Sequence, residues 1–291
     1  MTGDVKEGLV KKTVWAEDEI AQAGQLLELC NTFDGLHLKL DVGMLRVRKG
    51  KVANDFVYYA DGRLVGWLAL DEYGAEEVEL TGMVHPDYRR RGIFSALLAA
   101  AKEEAKGRGT TRLVVVCERF SHSGQAFVAS VGAAYDFSEY KMVLRDFKER
   151  GPYQERIALQ KAGAGDAEAL ALITASSFGH SVEGARRNIL ENMENPHAQY
   201  YLGKLGDEAV GCLNLYESAK EYGIYAFAVL LEYRGRGFGK QMLEQIIKEV
   251  RLMSVKDIAL EVETENTNAI GLYRSCGFVE VTTYGYYNID L

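Results

Sequence analysis

At 291 residues the chain is long enough for one large domain or two of ordinary size. Its 47% hydrophobic and 26% charged residues, with only 3 prolines, belong to a globular protein that buries a core and exclude a disordered, linker-rich chain. A formal net charge of −8 argues against a non-specific nucleic-acid binder, which needs cationic surface against phosphates, and is consistent with solubility or cationic small partners.

Cys30, Cys117, Cys212 and Cys276 form no Cys-x-x-Cys pair, and no histidine stands near one at metal-ligand spacing. Neither a disulfide framework nor a metal site is expected. The first 15 residues carry charge and no apolar segment, and no apolar run reaches membrane-spanning length. The expectation is a reducing, cytoplasmic setting without a membrane partner; an oligomer is left open.

In chain order, residues 16–31 have helical apolar spacing through Ile20, Leu26, Leu27 and Cys30. Strands over 56–60 and 64–70 flank Asp61-Gly62, a hairpin turn signal. A strand over 78–84, a helix over 93–106, an apolar strand over 113–117, a short helix over 124–131 and closing strands to Leu144 follow. The polar stretch 146–152 ends in Gly151-Pro152 and reads as a junction, dividing the chain into domains 1–147 and 153–291. The second half repeats the order. A strand over 155–159 leads to a helix over 166–178 with Asp166 as N-cap, then a helix over 182–192. Strands over 200–205 and 209–216 follow, then a strand over 224–229 and a helix over 237–252. A strand over 258–262, a helix over 268–275 and closing strands to Leu291 complete it.

The repeat is also visible in the residues themselves. Tyr88, Arg89, Arg91 and Gly92 recur as Tyr233, Arg234, Arg236 and Gly237, 145 residues later. Each copy sits after an apolar strand and before a helix. The first N–H groups of a helix lack intrahelical acceptors and, with the helix dipole, attract anions. Arg234, Gly235, Arg236, Gly237, Phe238, Gly239 and Lys240 therefore suit a diphosphate. The segment lacks the Gly-Lys-Ser/Thr ending of a nucleotide-binding P-loop, and the preceding antiparallel hairpins do not open a dinucleotide-binding βαβ unit. A glycine-rich turn without a ligand remains the plain alternative.

Arg234-x-x-Gly237-x-Gly239 resembles the Arg/Gln-x-x-Gly-x-Gly/Ala signature of GCN5-related N-acetyltransferases. Asn266 and Asn268-Ala269-Ile270-Gly271-Leu272-Tyr273, followed by Gly277-Phe278, resemble that family's second block. The resemblance covers residues 155–291 well, and the first half through its arginine-glycine turn and strand order. It implies an α/β fold of the α+β type: two tandem acyl-CoA N-acyltransferase domains, each a mixed, mostly antiparallel sheet flanked by helices. It also implies acetyl-CoA as cosubstrate and an acyltransferase acting on a primary amine of a small molecule or peptide by direct attack in a ternary complex. A non-catalytic acyl-CoA sensor is the alternative, and the amine of a thiol-cofactor precursor is a further acceptor to weigh.

By the same resemblance the cofactor's pantetheine arm would lie between strands 224–229 and 258–262. Backbone groups of Phe227, Ala228 and Val229 would pair with it, the diphosphate would rest on residues 234–240, and Asn266 would contact it. Tyr273 stands where the family's tyrosine protonates the leaving thiolate, a plausible transfer given reference pKa values of about 10 and 8.5. Glu261 is the candidate base, ahead of Glu221 and Glu263, and the Val229 N–H is the candidate oxyanion donor. The first half departs from this pattern. Phe94 replaces the last glycine, Ser121 stands at the Asn266 position and Val128 at the Tyr273 position, so this half is expected either to bind CoA, with Arg89 to Gly92 holding the diphosphate, without catalysis by this route or to be purely structural, with Glu79 held in reserve as a base. His85, before Pro86, is read as shaping the turn. Tyr284, Tyr286 and Tyr287, with Tyr222 and Tyr225, either wall an acceptor pocket or simply populate strands.

Overall fold

In the computed structural model, which describes residues 6–48, 50–72, 77–147, 156–179 and 181–291, the chain runs β1 (Gly8–Lys12), α1 (Glu17–Asp34), β2 (Asp55–Ala60), β3 (Arg63–Glu72), β4 (Glu77–Val84), α2 (Ile93–Gly107), β5 (Arg112–Glu118), α3 (His122–Ser130) and β6 (Ala134–Leu144). It continues with β7 (Ala158–Lys161), α4 (Ala167–Phe178), α5 (Val182–Met193), β8 (Ala198–Leu205), β9 (Glu208–Glu217), β10 (Glu221–Val229), α6 (Phe238–Met253), β11 (Asp257–Glu263), α7 (Thr267–Ser275) and β12 (Phe278–Asp290).

Two compact units result. Unit 1 comprises residues 1–139 and 282–291, and unit 2 comprises 140–281. They differ from the contiguous division at 147/153. Residues 140–147 pack with unit 2, and the last ten residues complete unit 1. The reason is strand pairing: residues 284–290 lie antiparallel on β5, while Met142 and Leu144 sit in the core of unit 2. Most of the expected junction lies outside the described residues.

In unit 1 the order β1-β2-β3-β4-β5 is extended by residues 282–290 and then 134–139. Only β4 and β5 pair in parallel; β1 to β4 are antiparallel. Asp61 and Gly62 turn the β2–β3 hairpin with φ of 52° and 71°, the left-handed pair such a tight turn requires. One face packs Leu97, Leu98 and Ala101 of α2 and Val128 of α3 on the sheet. The other packs Ile20, Ala23 and Leu26 of α1.

In unit 2 the order is residues 140–144, β11, β10, β9, β8, β7. Again one pair, β10 with β11, is parallel. Helices α6 and α7 bury Leu243, Ile246, Ile247 and Ile270 on one face, and α4 and α5 bury Leu170, Ile173 and Ile189 on the other. Both units are thus mixed, mostly antiparallel sheets between helices, as expected.

Three local details differ from the sequence reading. Strand β1 occupies a stretch expected to hold no element; it is a short, lysine-bearing edge strand, which gives little periodic signal. Asp166 stands at the N-cap of α4 but makes no cap bond there. Its Oδ2 instead accepts from the Gly163 N–H at 3.0 Å and closes the preceding 3-10 turn. Third, Asp55 is fully buried and accepts from the indoles of Trp15 (3.1 Å) and Trp67 (3.0 Å) and from Arg48 Nε (2.9 Å). A buried charge is tolerable only when so surrounded. Asp55→Ala leaves Arg48 and two indoles unpaired and is expected to cost about 3–5 kcal/mol in urea unfolding of the whole chain.

Candidate active site

In unit 2, β10 and β11 pair only from Glu221↔Asp257 to Ile224↔Leu260. Beyond that they part. At this point β10 also carries a bulge: its register against β9 shifts by one residue between Tyr225 and Ala228. Ala226 is the extra residue, with φ of 47°. A bulge of this kind bends its strand and raises the local twist. The Leu230 N–H donates to Val210 O on β9. Strand alternation therefore turns the N–H groups of Val229 and Phe227 away from β9, toward the parted side.

The parted strands end at the glycine turn. Gly235 and Gly237 have φ of 74° and 82°, the region where side chains are strained. Gly237 is the N-cap of α6 and offers no side-chain cap, so the N–H groups of Phe238, Gly239 and Lys240 are open to an anion. A Cβ at Gly239 would meet Leu272, Phe227 and Val229 at 3.5–3.7 Å, so this glycine leaves open a space that a larger side chain would fill.

The arginines serve the turn itself. Arg234 Nε donates to Val229 O at 2.7 Å, and the Arg236 guanidinium lies 5.4 Å from the Tyr233 ring centroid. Lys240 Nζ donates to Ser275 Oγ at 3.0 Å. Asn266 N-caps α7, accepting from the Ala269 N–H at 3.2 Å.

Tyr273, on α7, is buried between Phe227 (6.2 Å between centroids) and Phe278 (6.1 Å). Its hydroxyl has no hydrogen-bond partner among the described residues. Burial raises its pKa above the ordinary phenol range, so it holds its proton through neutral and mildly alkaline pH. Glu261 lies on β11 between Leu260 and Val262, which face the α6–α7 core, and so projects to the opposite side of the sheet. Glu221 is held by Lys141 Nζ at 2.6 Å, which removes it as a free base. Glu263 is exposed beyond the parallel pairing.

Unit 1 repeats the turn, and β4 and β5 likewise pair only from Glu77↔Arg112 to Leu80↔Val115 before they part. Arg90 and Gly92 match Gly235 and Gly237 with φ of 62° and 79°. Arg89 Nε donates to Val84 O at 3.0 Å, as Arg234 does to Val229 O, and its other nitrogens clamp Asp34 at 3.0 and 2.6 Å. However, β4 runs against β3 in unbroken register from Gly66↔Val84 to Glu72↔Val78, with no bulge. Phe94 fills the space: a Cβ at Gly82 would stand 2.8 Å from its ring, and Phe127 packs on it at 4.7 Å. Val128 is buried where unit 2 has Tyr273, and Ser121 keeps only the N-cap role, accepting from Gly124 N. Lys39 Nζ lies 3.7 Å from Glu79. His85 Nδ1 accepts from the Asp87 N–H at 3.2 Å and shapes the turn, as expected. A cavity of about 690 Å³ lined by Gln22, Arg63, His85 and Arg91 shares no lining residue with the β4–β5 junction.

The closing tyrosines divide. Tyr284, Tyr286 and Tyr287 are buried in unit 1, where Tyr284 donates to His37 O and Tyr287 to Gln125. Tyr222 and Tyr225 belong to unit 2. The five do not form one pocket wall within a unit.

Parted parallel strands, a bulge and a glycine-capped helix make up the candidate site of unit 2. Comparison with known proteins supplies the class: the model of the acetyltransferase (GNAT) family matches residues 31–132 and 168–278. The chain belongs to this family and is an acetyl-CoA-dependent N-acetyltransferase with two tandem GNAT domains. It is 25% identical over 278 residues to mycothiol acetyltransferase of Actinosynnema mirum, covering 90% of this chain and 92% of that one. It is 30% identical over 217 residues to mycothiol acetyltransferase of Mycolicibacterium gilvum, covering 69% and 70%. Among solved structures, a GCN5-related N-acetyltransferase from Sphaerobacter thermophilus superposes with a TM-score of 0.75 at 18% identity, covering 97% and 95%. A tandem GNAT protein from the clavulanic acid biosynthesis pathway superposes with a TM-score of 0.70 at 18% identity, covering 97% and 98%. Among the described residues no helix is long and apolar enough to cross a membrane.

Gly239→Phe installs in unit 2 the ring that unit 1 carries at Phe94. It is expected to weaken CoA binding at least about tenfold, or ~1.4 kcal/mol, in titration calorimetry. Unfolding is expected to shift by no more than the ~1–3 kcal/mol of an overpacked site.

Proposed function

We propose that unit 2 transfers the acetyl group of acetyl-CoA to the primary amine of a small molecule, by direct attack in a ternary complex, and that unit 1 does not catalyse this step. The observation that carries the reading is the gap itself. Beyond Ile224 the strands part, β10 turns backbone groups outward, α6 starts at a glycine, and Tyr273 packs on Phe227 of β10. The outward N–H groups of Phe227 and Val229 suit the amide carbonyls of an extended pantetheine, as an added strand suits a sheet edge. The open N–H groups of Phe238 to Lys240, with Arg236 and Lys240 near them, suit its diphosphate, and Asn266, at the start of α7, is the proposed side-chain contact to the cofactor.

In the proposed step the neutral amine attacks the thioester carbonyl. Its carbonyl oxygen takes up charge near the N–H groups of Val229 and Phe227. Collapse breaks the C–S bond, Tyr273 gives its proton to the departing thiolate, and the amine's surplus proton leaves through Glu261 or water linked to it. A non-catalytic acyl-CoA sensor is the second reading, and it leaves the Tyr273 hydroxyl without a role. Relatives named mycothiol acetyltransferases over most of the chain support a small acceptor, the amine of a thiol-cofactor precursor, ahead of a peptide.

Tyr273→Phe is expected to lower kcat by about 10²-fold or more, the usual share of a general acid, while CoA affinity in calorimetry stays unchanged. The assay is thiol release from acetyl-CoA with the amine that the wild-type chain turns over fastest. Turnover equal to wild type contradicts the role. Because burial raises the phenol's pKa, the protonated donor persists as pH rises. The wild-type profile is therefore expected to show no loss attributable to Tyr273 below about pH 10.

A further inference from the structure

On the sheet face opposite α6 and α7, unit 2 carries a lateral row of polar side chains. Asn214 on β9 is the register partner of Tyr200 on β8 and of Tyr225 on β10, so all three share one face. Ile224 and Leu260 are partners and both enter the α6–α7 core. The residues that follow them, Tyr225 and Glu261, therefore point together to the other face, where Tyr200 packs beneath α4 and α5. The row Tyr200, Asn214, Tyr225, Glu261 thus crosses the sheet just before the bulge at Ala226.

Asn214 is the anomaly in this row. Its Oδ1 is buried without a hydrogen-bond partner. Buried polar atoms without partners are rare, because losing water without replacement is costly. Tyr200, by contrast, has the Asn192 side chain as a partner. The Tyr225 ring lies along its strand over Gly223, where any Cβ would collide with it. A second buried polar atom without a partner, Ser177 Oγ, comes from α4 on the same side of the sheet. One turn earlier on that helix, Thr174 Oγ1 stands 3.8 Å from Cys212 Sγ, two residues before Asn214. A layer that packs only protein would be filled by apolar side chains at these positions.

We infer that Asn214 determines acceptor specificity in unit 2, its carboxamide taking a hydrogen bond from a hydroxyl that the acceptor carries beside its reactive amine. This rests on the acetyl transfer proposed for unit 2. A carboxamide is neutral and both accepts and donates, which matches a hydroxyl in both directions. The phenol rings of Tyr200 and Tyr225, on either side, supply apolar surface for the carbons between. A site built to hydrogen-bond a hydroxyl rejects the analogue that lacks it, because its own polar group is then left unpaired.

The test is competition. Wild-type chain and acetyl-CoA are given equimolar ethanolamine and propylamine, and separately tyramine and phenethylamine, and the acetylated products are counted by mass spectrometry. The product ratio reads relative kcat/KM and does not depend on how much enzyme is folded. The wild type is expected to favour the hydroxylated amine by about tenfold or more. Asn214→Ala and Asn214→Leu are expected to bring the ratio near one. Their melting temperatures hold or rise, since each removes an unsatisfied buried atom. A wild type that prefers the plain alkylamines, or a preference that survives both substitutions, overturns the inference alone. No acetylated product from any of the four amines overturns the acceptor reading in the preceding subsection and this inference with it.

Discussion

Parallel strands β10 and β11 hold together for four register pairs and then part, and at that point β10 carries one extra residue. Ala226, in the left-handed region, bends β10 and sets which of its backbone groups face the space between the strands. Backbone groups left along such an edge demand partners. In unit 2 those of Phe227 and Val229 face the gap instead of a strand, so an extended ligand with amides of its own suits the space. The Phe227 and Tyr273 rings lie against each other beside this strand, and the glycine turn follows its end.

Unit 1 parts its parallel strands after the same four register pairs, without a bulge. It keeps the arginine–carbonyl clasp, the two left-handed turn residues and the uncapped helix start. It lacks the bulge, and its phenylalanine sits on the helix where unit 2 has glycine. The two units exchange a residue pair: Gly82 with Phe94 in one, Phe227 with Gly239 in the other. A similar volume of ring is present in both, but in unit 1 it comes from the helix and presses onto Gly82, whereas in unit 2 it stays on the strand and leaves the helix start bare. Duplication kept the scaffold, and the placement of one aromatic ring separates a filled copy from an open one.

Much of this was legible in the sequence because it is local. The Asp61-Gly62 hairpin, the helices over 93–106 and 237–252, the glycine turns and the Asn266–Tyr273 block each depend on neighbouring residues. What was not legible depends on pairing between distant segments. Strand β1 exists because β2 offers it an edge. The last ten residues join unit 1 because β5 pairs with 284–290, which no reading along the chain reveals. The bulge leaves only a one-residue change of offset: Leu80 corresponds to Ile224 but Val84 to Val229. Asn214 and Ser177 look like ordinary polar residues until the structure shows their buried, unpaired atoms.

The central claim is that one unit holds the cosubstrate and the other cannot. A crystal structure of the full chain grown with acetyl-CoA tests it most directly. The account predicts density for the pantetheine arm between β10 and β11, with the thioester sulfur beside the Tyr273 hydroxyl, and none between β4 and β5. Cofactor density in unit 1 alongside Phe94, or a thioester placed away from Tyr273, would contradict it.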